Sequence, residues 1–147
     1  MKRSDGKLLI EQKIDDFDKA LTYYKSKDFQ ETEVRSRFID PFFQALGWDF
    51  EQTNLQKHLW DIYREYRQKD NMMTKKLDYA FNINGKLRFF VEAKAPSVAL
   101  TDKDPVFQAK RYAFSTNGKA PIIILTDFEE FRVFNALERP LYDNPLQ

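Results

Sequence analysis

Apolar positions in the first fifty residues recur at helical spacing. Ile10, Ile14, Phe17, Leu21 and Tyr24 follow one another at steps of 4, 3, 4 and 3, which predicts an amphipathic helix with that stripe turned inward. A second stripe, Val34, Phe38, Ile39, Phe42 and Leu46, predicts another helix from about Glu31. Pro41 falls inside it and should kink or restart it, because proline removes a backbone donor and clashes with the preceding turn. Gly47 is placed to cap its end. Residues 50–75 are polar and aromatic and show no clear period.

The period then changes to two. Residues 75–83 and 86–94 alternate apolar and polar around Asn84-Gly85, a pattern that predicts a β-hairpin. Asp104-Pro105 reads as a helix N-cap followed by a first-turn proline. The helix it opens carries Gln108, Arg111 and Tyr112 and fades near Asn117-Gly118. Residues 121–125 form a continuous apolar run, as in a strand buried on both faces. Residues 131–135 offer a short final strand. Helix, helix, hairpin, helix, strand, strand describes an α/β fold, a mixed central sheet flanked by helices. The expected layout is a single domain over 1–147, with N-terminal helices at 8–47 and a core at 75–135.

Register decides what the hairpin presents. Leu77, Tyr79, Phe81, Ile83, Leu87, Phe89, Val91 and Ala93 occupy odd positions; Asp78, Asn82, Arg88, Glu92 and Lys94 occupy even ones, with Ala80 and Phe90 as apolar exceptions. A two-residue Asn84-Gly85 loop would pair Ile83 with Lys86 and Leu77 with Glu92 and mix apolar and polar residues on both faces. A three-residue loop pairs Ile83 with Leu87, gathers the apolar residues on one face and sets Asp78 opposite Glu92. One-residue slips exchange faces, so the pattern predicts an odd-numbered loop or an equivalent bulge.

Composition narrows the class. The chain has 147 residues, 42% of them hydrophobic and 32% charged, a net charge of +1 and no cysteine. Disulfides, thiolate nucleophiles and cysteine zinc sites are excluded, in keeping with a reducing cytoplasm. No stretch approaches the roughly 20 apolar residues of a membrane span, and the N-terminus lacks an apolar signal core. Charge is uneven: residues 57–76 hold six Lys/Arg against three Asp/Glu, while residues 127–143 hold two against five. A basic surface is therefore expected mid-chain.

Two carboxylates opposed at one level suit a hard cation such as Mg²⁺, which takes oxygen ligands and few protein ones. The Ala93 carbonyl offers a third oxygen. Lys94, two residues beyond Glu92 on the same face, is placed to orient an attacking water and offset charge on a phosphate. On spacing alone, however, Asp, Glu and Lys on one strand face are more often a self-neutralised surface than an active site.

Asp78 followed by Glu92-Ala93-Lys94 resembles the PD-(D/E)XK nuclease signature, with Leu77 in place of its proline. Glu31-Thr32-Glu33-Val34-Arg35, Ile39-Asp40-Pro41-Phe42 and Ala45-Leu46-Gly47-Trp48-Asp49 are similar to the opening helix of restriction-enzyme nuclease domains. Those domains begin type I restriction R subunits and fused type IIG restriction–modification enzymes. Leu77-Asp78-Tyr79-Ala80, Val91-Glu92-Ala93-Lys94-Ala95 and Gln108-Ala109-Lys110-Arg111-Tyr112-Ala113 continue the likeness in order, over roughly residues 28–135.

The resemblance implies a restriction-endonuclease-like core that hydrolyses double-stranded DNA with Mg²⁺, Mn²⁺ being a plausible substitute. It implies catalytic roles for Asp78, Glu92, Lys94, Gln108 and Glu31, with Glu33 a competitor to Glu31, and metal contacts from Asp78, Glu92 and Ala93. Arg64, Arg67, Lys75, Lys76, Arg111 and Tyr112 are candidates for DNA contact, though each is individually a plausible solvated charge or packing residue. His58 suggests no site; Trp48 and Trp60 read as packing residues. The implied setting is cytoplasmic: one module of a larger enzyme with translocase, methyltransferase or target-recognition domains, with a second nuclease copy as a candidate partner for double-strand cleavage. The alternatives are a silent DNA-binding module of the same fold and a structural domain with a solvated hairpin face.

Overall fold

A computed structural model describes residues 2–70 and 73–144, with the side chains of residues 68–70 and 73–75 outside the description. Five strands lie in chain order across one sheet: β1 (Ile62–Asp70), β2 (Met73–Ile83), β3 (Lys86–Ala93), β4 (Ile122–Thr126) and β5 (Phe131–Asn135). β3 and β4 run parallel and the other neighbours antiparallel. The parallel pair needs a crossover, and α5 (Lys103–Phe114) supplies it. The sheet is thus mixed and helix-flanked, as the pattern predicts.

Strand β1 is the element the sequence hides. Its run Ile-Tyr-Arg-Glu-Tyr-Arg-Gln-Lys-Asp has only Ile62 buried among its described side chains. It is an edge strand, and charge along an edge discourages pairing with other chains. Such a strand therefore lacks the apolar alternation that betrays a central one.

Both sheet faces are covered, which corrects the expectation of a single apolar face. Phe17, Val34, Phe38, Ile39 and Phe43 from the N-terminal helices pack with Tyr79, Phe81, Val91 and Ala93. On the other face Val106, Ala109 and Ala113 of α5 meet Leu77, Ala80, Phe90, Ile123 and Leu125. Ala80 and Phe90, the apparent exceptions, are the inward residues of that second core.

The hairpin combines both turn solutions. Asn84 and Gly85 have φ of 53° and 81°, the left-handed pair of a two-residue turn, and Ile83 pairs with Lys86. Asn82 then pairs with Leu87 but Phe81 with Phe89, so Arg88 is an extra residue on β3. That bulge restores the register in which Tyr79 faces Val91 and, one step on, Asp78 faces Glu92. It also sends Leu87 to the α5 side, away from Phe89.

The N-terminal helices depart from their stripes. α1 (Arg3–Lys19) starts well before Ile10, and α2 (Leu21–Tyr24) follows a break at Ala20. Phe17 and Tyr24 are buried, but Ile14 and Leu21 are exposed. Gly6 carries the packing instead: a Cβ there would stand 2.1 Å from the carbonyl oxygen of Ala45.

The second helix restarts at Pro41, which stands in the first turn of its last segment. α3 (Glu31–Val34) runs through a π-helical turn (Arg35–Ile39) into α4 (Asp40–Ala45). A proline offers no N–H to the ladder, and the wider turn just before it shifts the face by a residue. Phe43 is consequently buried while Leu46 is exposed. Gly47, at φ 104°, closes the run as expected. α5 begins earlier than predicted, with Asp102 as N-cap and Pro105 third in the helix, still in the first turn where the missing donor costs nothing.

Candidate active site

Asp78 and Glu92 are locked together by backbone bonds. The Asp78 N–H donates to Glu92 Oε1 at 2.7 Å, and the Ala93 N–H donates to Asp78 Oδ2 at 2.8 Å. Both residues are buried, 4% and 7% exposed. Burial and the neighbouring Asp78 charge push the Glu92 carboxyl up to about 8, because an ionised group loses hydration there and faces a like charge.

The strand is irregular at this point. Arg64 pairs with Tyr79 and Tyr66 with Leu77, but Glu65, level with Asp78, does not pair and has a left-handed φ of 53°. Leu77 and Tyr79 pack into different cores, so β2 rolls over at Asp78 and directs its carboxylate out of the strand's regular alternation. Local backbone strain of this kind concentrates where a side chain must be aimed.

The hollow before the pair gathers residues from several elements. Glu31 comes from α3, Lys76 from β2, and Gln108 and Tyr112 from α5; Lys94 follows β3. The Glu31 carboxyl is raised by burial first and then by the Asp78 charge. Glu33 points elsewhere and accepts the Gln30 N–H at 2.8 Å, so the two competing glutamates separate into one facing the hollow and one capping the helix. Gln108 Nε2 donates to Tyr112 Oη at 2.9 Å, one helical turn apart.

Other predicted residues are dispersed. Arg64 lies 3.5 Å from Asp40 and over the Phe50 ring. Arg67 is exposed, opposite Lys76. Arg111 lines a separate hollow with Phe107 and Tyr142. The side chain of Lys75 lies outside the described residues. His58 is exposed; Trp48 packs against the core beside Phe81 and Trp60 beside Tyr63.

Three residues of the hollow were not singled out from sequence: Thr32, Arg35 and Glu65. Arg35 Nη1 lies 3.3 Å from Asp78 Oδ1, and its guanidinium stacks 5.1 Å from the Tyr79 ring centroid. The signal was available, since Arg35 stands four residues after Glu31 and shares its helix face. Glu65 lies 3.5 Å from Lys76, in a stretch without periodicity.

The donor set fits a hard cation of modest demands. Two buried carboxylates stand side by side, each with one oxygen engaged by a backbone N–H. Among the described residues no three acidic or histidine side chains converge closely enough to enclose a metal. The fit rests on the carboxylate pair alone: Mg²⁺ keeps several waters and takes one or two carboxylates.

Known proteins resemble this chain. Residues 51–141 match the family described as type I restriction enzyme R protein N terminus. The chain is 34% identical over 132 residues to the Escherichia coli type II restriction enzyme and methyltransferase RM.Eco57I, an alignment covering 86% of this chain and 13% of that protein. The chain thus spans about an eighth of that relative's length. No solved structure matches it. With a match over more than half its length, the chain belongs to the type I restriction enzyme R protein N-terminal family.

Proposed function

We propose that this domain is a divalent-metal-dependent endonuclease that hydrolyses phosphodiester bonds of double-stranded DNA. The observation that carries the reading is the buried Asp78–Glu92 pair at the mouth of a hollow that also holds Lys94. Asp78, Glu92 and the Ala93 carbonyl would hold Mg²⁺, or Mn²⁺ in its place. When bound, the ion supplies Lewis-acid polarisation of the phosphate and lowers the pKa of bound water.

The chain's own residues do the rest. Lys94 holds a water near the pair and offsets negative charge as the phosphorus gains a fifth oxygen. Gln108, oriented by Tyr112, and Glu31 hold further water in line. Lys76, Arg67, Lys75 and Arg64 on the β1–β2 hairpin supply phosphate contacts that position a duplex without reading its sequence. Arg111 is a more distant candidate for the same role.

The relative's name joins a restriction enzyme to a methyltransferase. We accordingly read this domain as the cleavage part of a larger cytoplasmic enzyme of type I or type IIG character, with methyltransferase, translocase or target-recognition domains beside it. Among the described residues no helix is long and apolar enough to cross a membrane.

The test is nicking and cleavage of duplex DNA with Mg²⁺, Mn²⁺ or EDTA, using this chain and the parent enzyme. Asp78→Ala and Lys94→Ala should abolish cleavage while leaving the melting transition in place. DNA binding without cleavage under any divalent ion, in the parent enzyme as well, would replace this reading with a silent DNA-binding module.

A further inference from the structure

We propose that Arg35 is a phosphate-contacting residue of this site, held on Asp78 until a divalent cation takes that carboxylate. The inference rests on the nuclease reading above. Arg35 is well placed for such an exchange. Its side chain is 15% exposed and makes a single contact with Asp78, Nη1 to Oδ1 at 3.3 Å. A committed charge-assisted bond is shorter, about 2.7–2.9 Å, and arginine–carboxylate pairs are frequently bidentate. The other Asp78 oxygen already accepts the Ala93 N–H. The arginine therefore balances Asp78 without being locked to it.

The guanidinium is nonetheless directed. It lies against the Tyr79 ring, and the Tyr79 hydroxyl donates to Asp40, which anchors the ring at its far end. Arg35 opens the π-helical turn, so its base is set by the unusual backbone that Pro41 enforces.

Charge balance supplies the reason for the exchange. Four carboxylates line the hollow: Glu31, Glu65, Asp78 and Glu92. Lys76 offsets Glu65, and a divalent cation and Lys94 together cancel the other three when all are ionised. A phosphodiester then brings one more negative charge. Arg35, which reaches Glu65 only at 3.9 Å, is the remaining cation among the residues that line the hollow. Once a metal neutralises Asp78, the attraction holding Arg35 there weakens, and its planar fork matches phosphate oxygens better than any ammonium would.

The experiment measures binding, not turnover, on the 147-residue chain and its Arg35→Gln and Arg35→Lys variants. Mn²⁺ is titrated without DNA, and a labelled duplex is titrated in Ca²⁺ and in EDTA. Arg35→Gln should bind Mn²⁺ at least threefold more tightly, because its competitor at Asp78 is gone. Its DNA affinity should fall about tenfold in Ca²⁺, the scale of one hydrogen bond to a charged group, and stay within twofold in EDTA. Arg35→Lys should recover less than half of the loss, and it is read alone if the glutamine variant does not melt cooperatively. Equal loss in Ca²⁺ and EDTA, or no loss in Ca²⁺, overturns the proposal for Arg35 while leaving the nuclease reading intact. A wild-type chain whose Mn²⁺ binding is unchanged by Asp78→Ala, and whose DNA affinity ignores Ca²⁺, overturns both.

Discussion

The Asp78 N–H donates to the carboxylate of Glu92 across the β2–β3 ladder, while the Asp78 carboxylate accepts from Ala93, the residue beside Glu92. Each strand thus supplies both a donor and an acid, and neither carboxylate can swing away without leaving a buried N–H unpaired. Positioning of this kind is set by the backbone and precedes any ligand.

The first prediction concerns Glu92 without metal. Its folded-state carboxyl is raised to about 8 by burial and by Asp78, against about 4.3 unfolded. Between those values the folded chain binds more protons than the unfolded one, so stability falls as pH rises through the interval. Below about pH 4.3 the effect vanishes. Glu92→Gln cannot ionise, and it should flatten the decline, which for a buried acid amounts to a few kcal/mol. Urea unfolding in EDTA at pH 5 and pH 9 measures it; parallel profiles for both proteins would refute the account.

Glu31 and Glu33 should separate by phenotype. Glu33 accepts the Gln30 N–H at the helix start, so Glu33→Ala should cost about 1 kcal/mol of stability and leave metal affinity unchanged. Glu31 faces Asp78 and Lys94 in the hollow. Glu31→Gln removes a repulsive charge, so stability should hold or rise slightly while Mn²⁺ affinity drops severalfold. Thermal melts paired with metal titrations decide; swapped phenotypes would reverse the assignment.

Gly6→Ala tests how α1 docks. Helix propensity alone favours alanine by about 1 kcal/mol. The new Cβ would lie 2.1 Å from Ala45 O, and this contact is with backbone that cannot rotate aside. Separating the helices exposes part of the Phe17 core, a cost of about 2 kcal/mol or more. The clash should win, and a lowered melting temperature is expected. An unchanged or higher one would show that α1 is loosely held.

What the sequence disclosed follows from how strongly each residue is constrained locally. The hairpin was legible because Asn84-Gly85 dictates a left-handed turn and the flanking residues alternate. The alternatives for its register were both partly right: the turn has two residues, and the bulge at Arg88 corrects the offset. Ala80 and Phe90 looked exceptional only because α5, which comes later in the chain, supplies the face they pack on. β1 was invisible since an edge strand owes its place to pairing with β2, and its own side chains are charged. The π turn at Arg35–Ile39 has no local cue except Pro41, and it decides whether Phe43 or Leu46 is buried. At the site, the Asp78–Glu92 alignment was readable from register. Arg35 had only its four-residue spacing from Glu31 to mark it, and Glu65 had nothing, because its place depends on the backbone irregularity in β1.

The last prediction is a stability switch outside the carboxylate pair. Asp127, in the turn between β4 and β5, is 5% exposed, and its side chain accepts the Glu130 N–H at 2.8 Å. Burial, then the charges of Glu129 and Glu130, raise its carboxyl to about 6 against the opposing effect of that bond. The unfolded value is about 3.9, so the folded chain holds the extra proton between the two. The associated stability is full below about pH 3.9 and is lost as pH rises through about 6. Asp127→Asn keeps an oxygen for the Glu130 N–H and carries no charge at any pH. It should match the wild type near pH 4 and exceed it by about 1–2 kcal/mol at pH 7.5, after allowance for solvent screening. Urea midpoints at the two pH values provide the measurement. A variant that is less stable at pH 7.5 would mean that the ionised carboxylate is a better acceptor for the turn than its burial suggests.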